Sequence, residues 1–126
     1  MSTPKVLVVD DEPAILGLVS KALSARGYEV HAASDPKRAL ELVRAAPCFD
    51  LVVSDVIMPE MCGPELVRKI TEMCPTTAVV LMSGYIAAEA IPQRAKFISK
   101  PFRMTDLCFA VEDVLALALD ERAKAS

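Results

Sequence analysis

The fold this sequence predicts is a five-stranded, doubly wound α/β domain, and three observations predict it. Short apolar runs rich in Val, Leu and Ile alternate with longer segments whose apolar residues recur at helical spacing. The run that ends in Asp55 is short and apolar, which suits a strand buried on both faces of a parallel sheet. No internal repeat, linker or low-complexity tract breaks the alternation. Strands alternating with helices build right-handed βαβ units. At 126 residues and 53% hydrophobic content, one domain over 1–126 is expected, with its core over about 4–119.

Lys5-Val6-Leu7-Val8-Val9 is the first strand, and it runs into Asp10-Asp11. Glu12-Pro13 opens the first helix, since Pro fits a first turn and acidic groups suit its positive end. Ile15, Leu16, Leu18, Val19, Ala22 and Leu23 mark its apolar face, and Gly27 closes it. Tyr28 to Ala32 is the second strand; Ser34-Asp35-Pro36 turns into a helix faced by Ala39, Leu40, Leu42 and Val43, which stops before Pro47. The third strand ends in Asp55 and is followed by a Pro-containing loop and Gly63. Pro64 starts a helix through Leu66, Val67 and Ile70 that ends before Pro75. Thr77 to Met82 is the fourth strand and Lys96 to Ser99 a short fifth, leading into Lys100-Pro101-Phe102. The last helix is expected from about Met104 to Leu119, with Leu107, Val111, Val114, Leu115 and Ala118 inward and a frayed tail over 120–126.

Charge and composition narrow the function. The net charge of −3, with Lys and Arg scattered, offers no footprint for nucleic acid. No apolar run is long enough to span a membrane and the amino terminus lacks a signal-peptide pattern, so cytoplasmic residence without membrane contact is expected. Cys48, Cys62, Cys74 and Cys108 are too far apart for a CxxC metal pattern. Their even count could permit disulfides, but a cytoplasmic domain with an apolar core seldom needs them; Cys108 reads as a buried small hydrophobe and Cys62 as exposed. His31 stands without a second ligand and reads as structural.

The polar residues that remain share one address. In a flavodoxin-like strand order 2-1-3-4-5, the ends of strands one, three, four and five lie side by side at the carboxyl edge, where such folds bind ligands. Asp10-Asp11, Asp55, Ser83 and Lys100 sit at those four ends. Crowded carboxylates repel unless a cation joins them or one retains its proton. An oxygen-only cluster without His or Cys suits Mg²⁺. With an ammonium and a hydroxyl alongside, the set suits a phosphoryl group in transfer, and a carboxylate can itself be the nucleophile. Asp55 has the position for that role, while Asp10 and Asp11 are better placed for metal.

These residues resemble the receiver domain of two-component response regulators, the CheY-like family. The resemblance covers essentially the whole chain and rests on Asp10-Asp11, on Asp55 with Met58-Pro59 and Gly63, on Ser83-Gly84, and on Lys100-Pro101-Phe102. It implies that Asp55 accepts a phosphoryl group from a histidine kinase or a histidine phosphotransfer protein. Asp10, Asp11, Asp55 and the backbone carbonyl of Ile57 would hold Mg²⁺, for which Mn²⁺ can substitute. Ser83, Lys100 and the backbone N–H groups of Val56 and Gly84 would contact the phosphoryl oxygens. The resemblance also implies a cis Lys100-Pro101 bond. It further implies a switch coupling Ser83 to Phe97, whose alternative role is core packing, and tuning of dephosphorylation by Ile57 and Tyr85. Bulky, non-acidic groups at those two positions imply a long-lived phosphoryl state.

Leu81-Met82-Ser83-Gly84-Tyr85 is similar to receivers joined to hybrid histidine kinases. One departure stands out: the stretch between Ser83 and Phe97 is shorter than the family spends there, and Pro92 interrupts it. The fourth helix of the family's order, which lies between strands four and five, is therefore expected to be short or distorted. That puts the family's usual output surface in doubt. With no output domain in these residues, the chain is expected to be a stand-alone relay or a receiver from a longer protein, and not a turnover enzyme. Two competing readings are a binding module of this fold that is never phosphorylated, and an FMN carrier. Asp10-Asp11-Glu12 would repel a flavin phosphate, and adjacent aspartates do not match the Asp-x-Asp of aspartate-nucleophile phosphatases.

Overall fold

The computed structural model describes residues 3–45, 48–84 and 95–125, with side chains through residue 118. Strands β1 (Lys5–Val9), β2 (Glu29–Ala33), β3 (Leu51–Asp55), β4 (Ala78–Ser83) and β5 (Ala95–Ser99) pair in parallel, in the order β2-β1-β3-β4-β5. Helices α1 (Pro13–Ala25), α2 (Pro36–Ala45), α3 (Gly63–Met73) and α4 (Met104–Ala125) cover the sheet. This is the fold class the sequence predicts. The expected short or distorted helix between the fourth and fifth strands, with Tyr85 and Pro92, falls outside the described residues.

Alternation along the three inner strands explains why β1, β3 and β4 are buried almost throughout, whereas the edge strands β2 and β5 carry exposed residues such as Glu29 and Lys96. Leu7, Val9, Val52, Val79 and Leu81 face α2 and α3, where Ala39, Leu40, Val43, Leu66, Val67 and Ile70 are buried. Val6, Val8, Leu51, Val53, Val80 and Met82 face α1 and α4, meeting Val19, Leu23, Leu107 and Val111. Successive side chains therefore serve two separate cores, and a strand between two helical layers has no wet face. Truncating Leu7 or Leu66, both fully buried, to Ala would cost about 2–5 kcal/mol.

Several boundaries move by a residue or more, each for a local reason. Strand β2 begins at Glu29 rather than Tyr28, because the Tyr28 N–H donates to the Leu23 carbonyl in the turn that closes α1. Gly27 has φ 93° there, which glycine adopts without a Cβ clash. Helix α4 runs on to Ala125 past Leu119, through residues such as Glu121, Arg122, Ala123 and Lys124 that favour helix. Asp10, Asp11 and Glu12 sit just ahead of the first turn of α1, whose N-cap is Glu12. At α2 the Asp35 carboxylate accepts the Arg38 N–H at 2.8 Å. His31 lies 2.9 Å from a Glu29 carboxylate oxygen and edge-on to the Phe49 ring.

The cysteines divide in a way the sequence does not predict. Cys62 is exposed and Cys108 buried, as expected. Cys48 and Cys74, however, form a disulfide. Of the two openings the even cysteine count left, the less expected one holds, because β3 and β4 are neighbours. The segments leading into them, at the amino-terminal rim of the sheet, bring the two Cα atoms to 5.7 Å, within the normal bridging range.

Candidate metal and phosphoryl site

At the opposite, carboxyl-terminal rim, β1 delivers Asp10 and β3 delivers Asp55. Asp10 is fully buried and Asp55 is 6% exposed, while Asp11 beside them is exposed. One carboxylate oxygen from each lies within 4.8 Å of the others. Lys100, just past β5, places its ammonium 3.4 Å from Asp55 Oδ2 and 3.5 Å from Asp10 Oδ2. The Lys100 backbone N–H donates to the Ser83 carbonyl at 2.7 Å, which ties the end of β5 to the end of β4. Lys100-Pro101 is cis, as expected.

The backbone around Asp55 is fixed from several sides. Ser54 Oγ donates to the Asp55 carbonyl at 2.9 Å, and the Gly63 N–H donates to the Val56 carbonyl at 2.7 Å. A Cβ on Gly63 would run into the Asp55 carbonyl oxygen and come within 3.0 Å of Val56 Cα, so the loop closes only around glycine. Neither Ser54 nor this packing role of Gly63 was assigned from sequence. The available signal was a hydroxyl inside an otherwise apolar run.

One expected donor is corrected. The Val56 N–H continues the sheet and donates to the Met82 carbonyl at 2.9 Å, so it is committed elsewhere. The next N–H, that of Ile57, hydrogen-bonds the Asp55 carboxylate and opposes the rise of its pKa. A one-residue offset reverses direction along a strand, and the ladder extends one residue beyond Asp55. Ser83 is buried at the end of β4, opposite Ser99. Leu81, two residues earlier, partners Phe97, so Ser83 and Phe97 share a sheet face; Phe97 is partly buried against that core. Gly84 is exposed, Ile57 is 52% exposed beside Asp55, and Tyr85 lies outside the described residues.

Electrostatics set this rim apart. Burial pushes the Asp10 carboxyl above the ordinary range and the Asp55 charge adds to it, against the Glu12 N–H and Lys100. Burial likewise raises Asp55, opposed chiefly by Lys100. Burial alone would lower the Lys100 ammonium, but the Asp10 and Asp55 charges outweigh it and hold its pKa up. Asp10 Oδ1 accepts the Glu12 N–H at 2.9 Å, whereas its buried Oδ2 has no hydrogen bond among the described residues and lies 3.5 Å from the Lys100 ammonium. An orphaned buried oxygen in an oxygen-only cluster fits a hard divalent cation, which takes carboxylate, carbonyl and water ligands.

The sequence profile of the response regulator receiver domain matches residues 6–112. The chain belongs to the response regulator receiver family. Among its relatives, the sensor kinase CckA of Brucella abortus is 40% identical over 87% of this chain, which spans 12% of that kinase. The response regulator receiver protein CpdR of the same organism is 33% identical over 90% of this chain and 98% of its own length. The crystal structure of the receiver domain from the hybrid histidine kinase CckA superposes with a TM-score of 0.78 at 36% identity, covering 88% of this chain and 98% of that one. A CheY-like receiver from Methanospirillum hungatei gives 0.86 at 29% identity, covering 95% and 99%. The receiver is thus a phosphoacceptor module of two-component signalling, a family that binds a divalent metal at an acidic cluster and works with histidine kinases or phosphotransfer proteins. Among the described residues, no helix is long and apolar enough to cross a membrane.

Proposed function

We propose that Asp55 is the residue phosphorylated, by a phosphohistidine of a histidine kinase or histidine phosphotransfer protein. The observation that carries this reading is the Lys100 ammonium shared between Asp55 and Asp10 at 3.4 and 3.5 Å, beside an Asp10 oxygen with no hydrogen bond among the described residues. In the transfer, an Asp55 carboxylate oxygen forms a bond to phosphorus as the P–N bond to the imidazole breaks, giving an aspartyl phosphate. Lys100 follows the charge from the carboxylates to the phosphoryl oxygens, and the Ser83 hydroxyl with the Gly84 and Ile57 N–H groups faces them. Asp10, Asp11, Asp55 and the Ile57 carbonyl would hold Mg²⁺, or Mn²⁺ in its place. That ion would neutralise charge on the phosphoryl oxygens.

The domain acts as an acceptor in its own phosphorylation, not as a turnover enzyme, and resides in the cytoplasm with its donor. Drawing Ser83 toward the phosphoryl group would free space on the face it shares with Phe97, which is the basis for Phe97 as the mobile partner. Exposed Ile57 shields the acceptor from attacking water, favouring a long-lived phosphoryl state. Tyr85, which follows Gly84 in sequence, would share that role. Replacing Ile57 with Glu is expected to shorten the lifetime, measured as decay of the adduct; an unchanged lifetime would contradict the shielding role. The reading as a whole is tested by incubating the protein with Mg²⁺ and a small acyl phosphate and measuring intact mass. One Mg²⁺-dependent phosphoryl adduct, absent in Asp55→Ala, is expected. No adduct on folded protein would favour a binding module instead.

A further inference from the structure

The Cys48–Cys74 bond lies at the rim away from Asp55, yet the ring it closes contains β3, Asp55, the loop to α3 and all of α3. Two features bear on whether it is a permanent staple. The segments it joins are already held by other bonds. Thr77 Oγ1 donates to the Phe49 carbonyl at 2.8 Å, the Ala78 N–H donates to the Asp50 carbonyl at 3.0 Å, and the Cys74 N–H caps α3 on Ile70 at 2.8 Å. The two cysteines are therefore placed by the fold, with or without a bond between them. They also differ in access, since Cys48 is exposed and Cys74 is 5% exposed. Exchange depends on access, and of the two bonded residues Cys48 is the one solvent reaches while Cys74 is buried.

We propose that Cys48 and Cys74 are a reversible thiol–disulfide site, opened and closed on the folded domain by low-molecular-weight thiols and disulfides. In closure, the Cys48 thiolate attacks one sulfur of a small disulfide, forming a mixed disulfide and releasing one small thiolate. The Cys74 thiolate then attacks the Cys48 sulfur and releases the second. Two protein thiols are oxidised to one disulfide, the small disulfide is reduced to two thiols, and the protein's two protons pass to the departing thiolates. Opening is the reverse, beginning with attack on the sulfur of the more exposed residue, Cys48.

The test is equilibration of the full chain in glutathione buffers stepped from reduced to oxidised and back. Samples are then alkylated in denaturant and read by intact mass, with far-UV circular dichroism recorded before the quench. The expected result is a closed population that rises across the series and falls on reversal, with the dichroism of a folded protein throughout. The closed form would keep only Cys62 and Cys108 alkylated. Cys62→Ser should titrate like the parent, and Cys48→Ser should stay folded and never close. A pair that stays open at every ratio, a bond that opens only with loss of dichroism, or a mixed disulfide accumulating on Cys62 in place of closure would each overturn the proposal.

Discussion

Strand β3 carries an aspartate near each end, and the two live under opposite rules. Just before β3, Asp50 is tied into the fold: its Oδ2 accepts the Lys5 N–H at 2.8 Å, its own N–H donates to the Lys5 carbonyl at 2.9 Å, and its carbonyl accepts the Ala78 N–H. At the far end Asp55 is desolvated, crowded by acids and balanced mainly by one shared ammonium. The same residue type is structural at one rim and chemically poised at the other. What differs is burial and company, since Asp55 is buried beside two other acids while Asp50 is half-buried and apart from them, and a desolvated, crowded carboxylate is the one poised for a ligand.

The largest expected effect breaks that symmetry directly. Asp55→Asn should abolish phosphoryl uptake from an acyl phosphate and leave the protein folded. Asp50→Ala should keep uptake and lose about 1–2 kcal/mol in urea unfolding, as the Lys5 N–H loses its acceptor. Uptake surviving in the first variant, or vanishing from a folded second, would merge the two rims into one. Next in size, reducing Cys48–Cys74 should lower Tm by on the order of 10 °C, because the closed loop restricts the unfolded chain. A calorimetric scan with and without reductant measures it.

Overpacking the acceptor loop comes third: Gly63→Ala should destabilise by about 1–3 kcal/mol, as the new methyl meets the Asp55 carbonyl. Chemical denaturation would read this, and a neutral result would show that the loop can open. Metal and pH sharpen the contrast further. Asp10 and Asp55 hold protons above the ordinary carboxylate range, chiefly through burial. The folded state therefore binds more protons than the unfolded one, and metal-free stability should fall as pH rises from about 4 through their folded values. Saturating Mg²⁺ should raise Tm by a few degrees at neutral pH, and Asp10→Asn should reduce both effects. The smallest effect belongs to neither rim: the exposed Arg68–Glu72 pair on α3 should be worth under about 0.5 kcal/mol to Arg68→Ala.

Legibility followed the range of the interactions. Strand and helix identities were readable because apolar spacing is local, and Asp10, Asp55, Ser83 and Lys100 could be placed together because each ends an apolar run. The Cys48–Cys74 bond was not readable, since its partners meet only when β3 lies beside β4, and cysteine spacing does not encode neighbouring strands. The choice between the Val56 and Ile57 N–H groups was lost for a finer reason. It depends on whether the ladder stops at Asp55 or one residue later, which the Met82 carbonyl decides. Helix α4 outran its apolar face because charged residues with good helix propensity extend it without burial.

The most direct measurement locates the phosphoryl group itself. After acyl-phosphate treatment with Mg²⁺, borohydride reduction converts an aspartyl phosphate to homoserine, and tandem mass spectrometry reads the position. Conversion at Asp55 alone is the predicted result. Conversion at Asp10, Asp11 or Asp50, or at no carboxylate of a folded, Mg²⁺-supplied sample, would contradict the account.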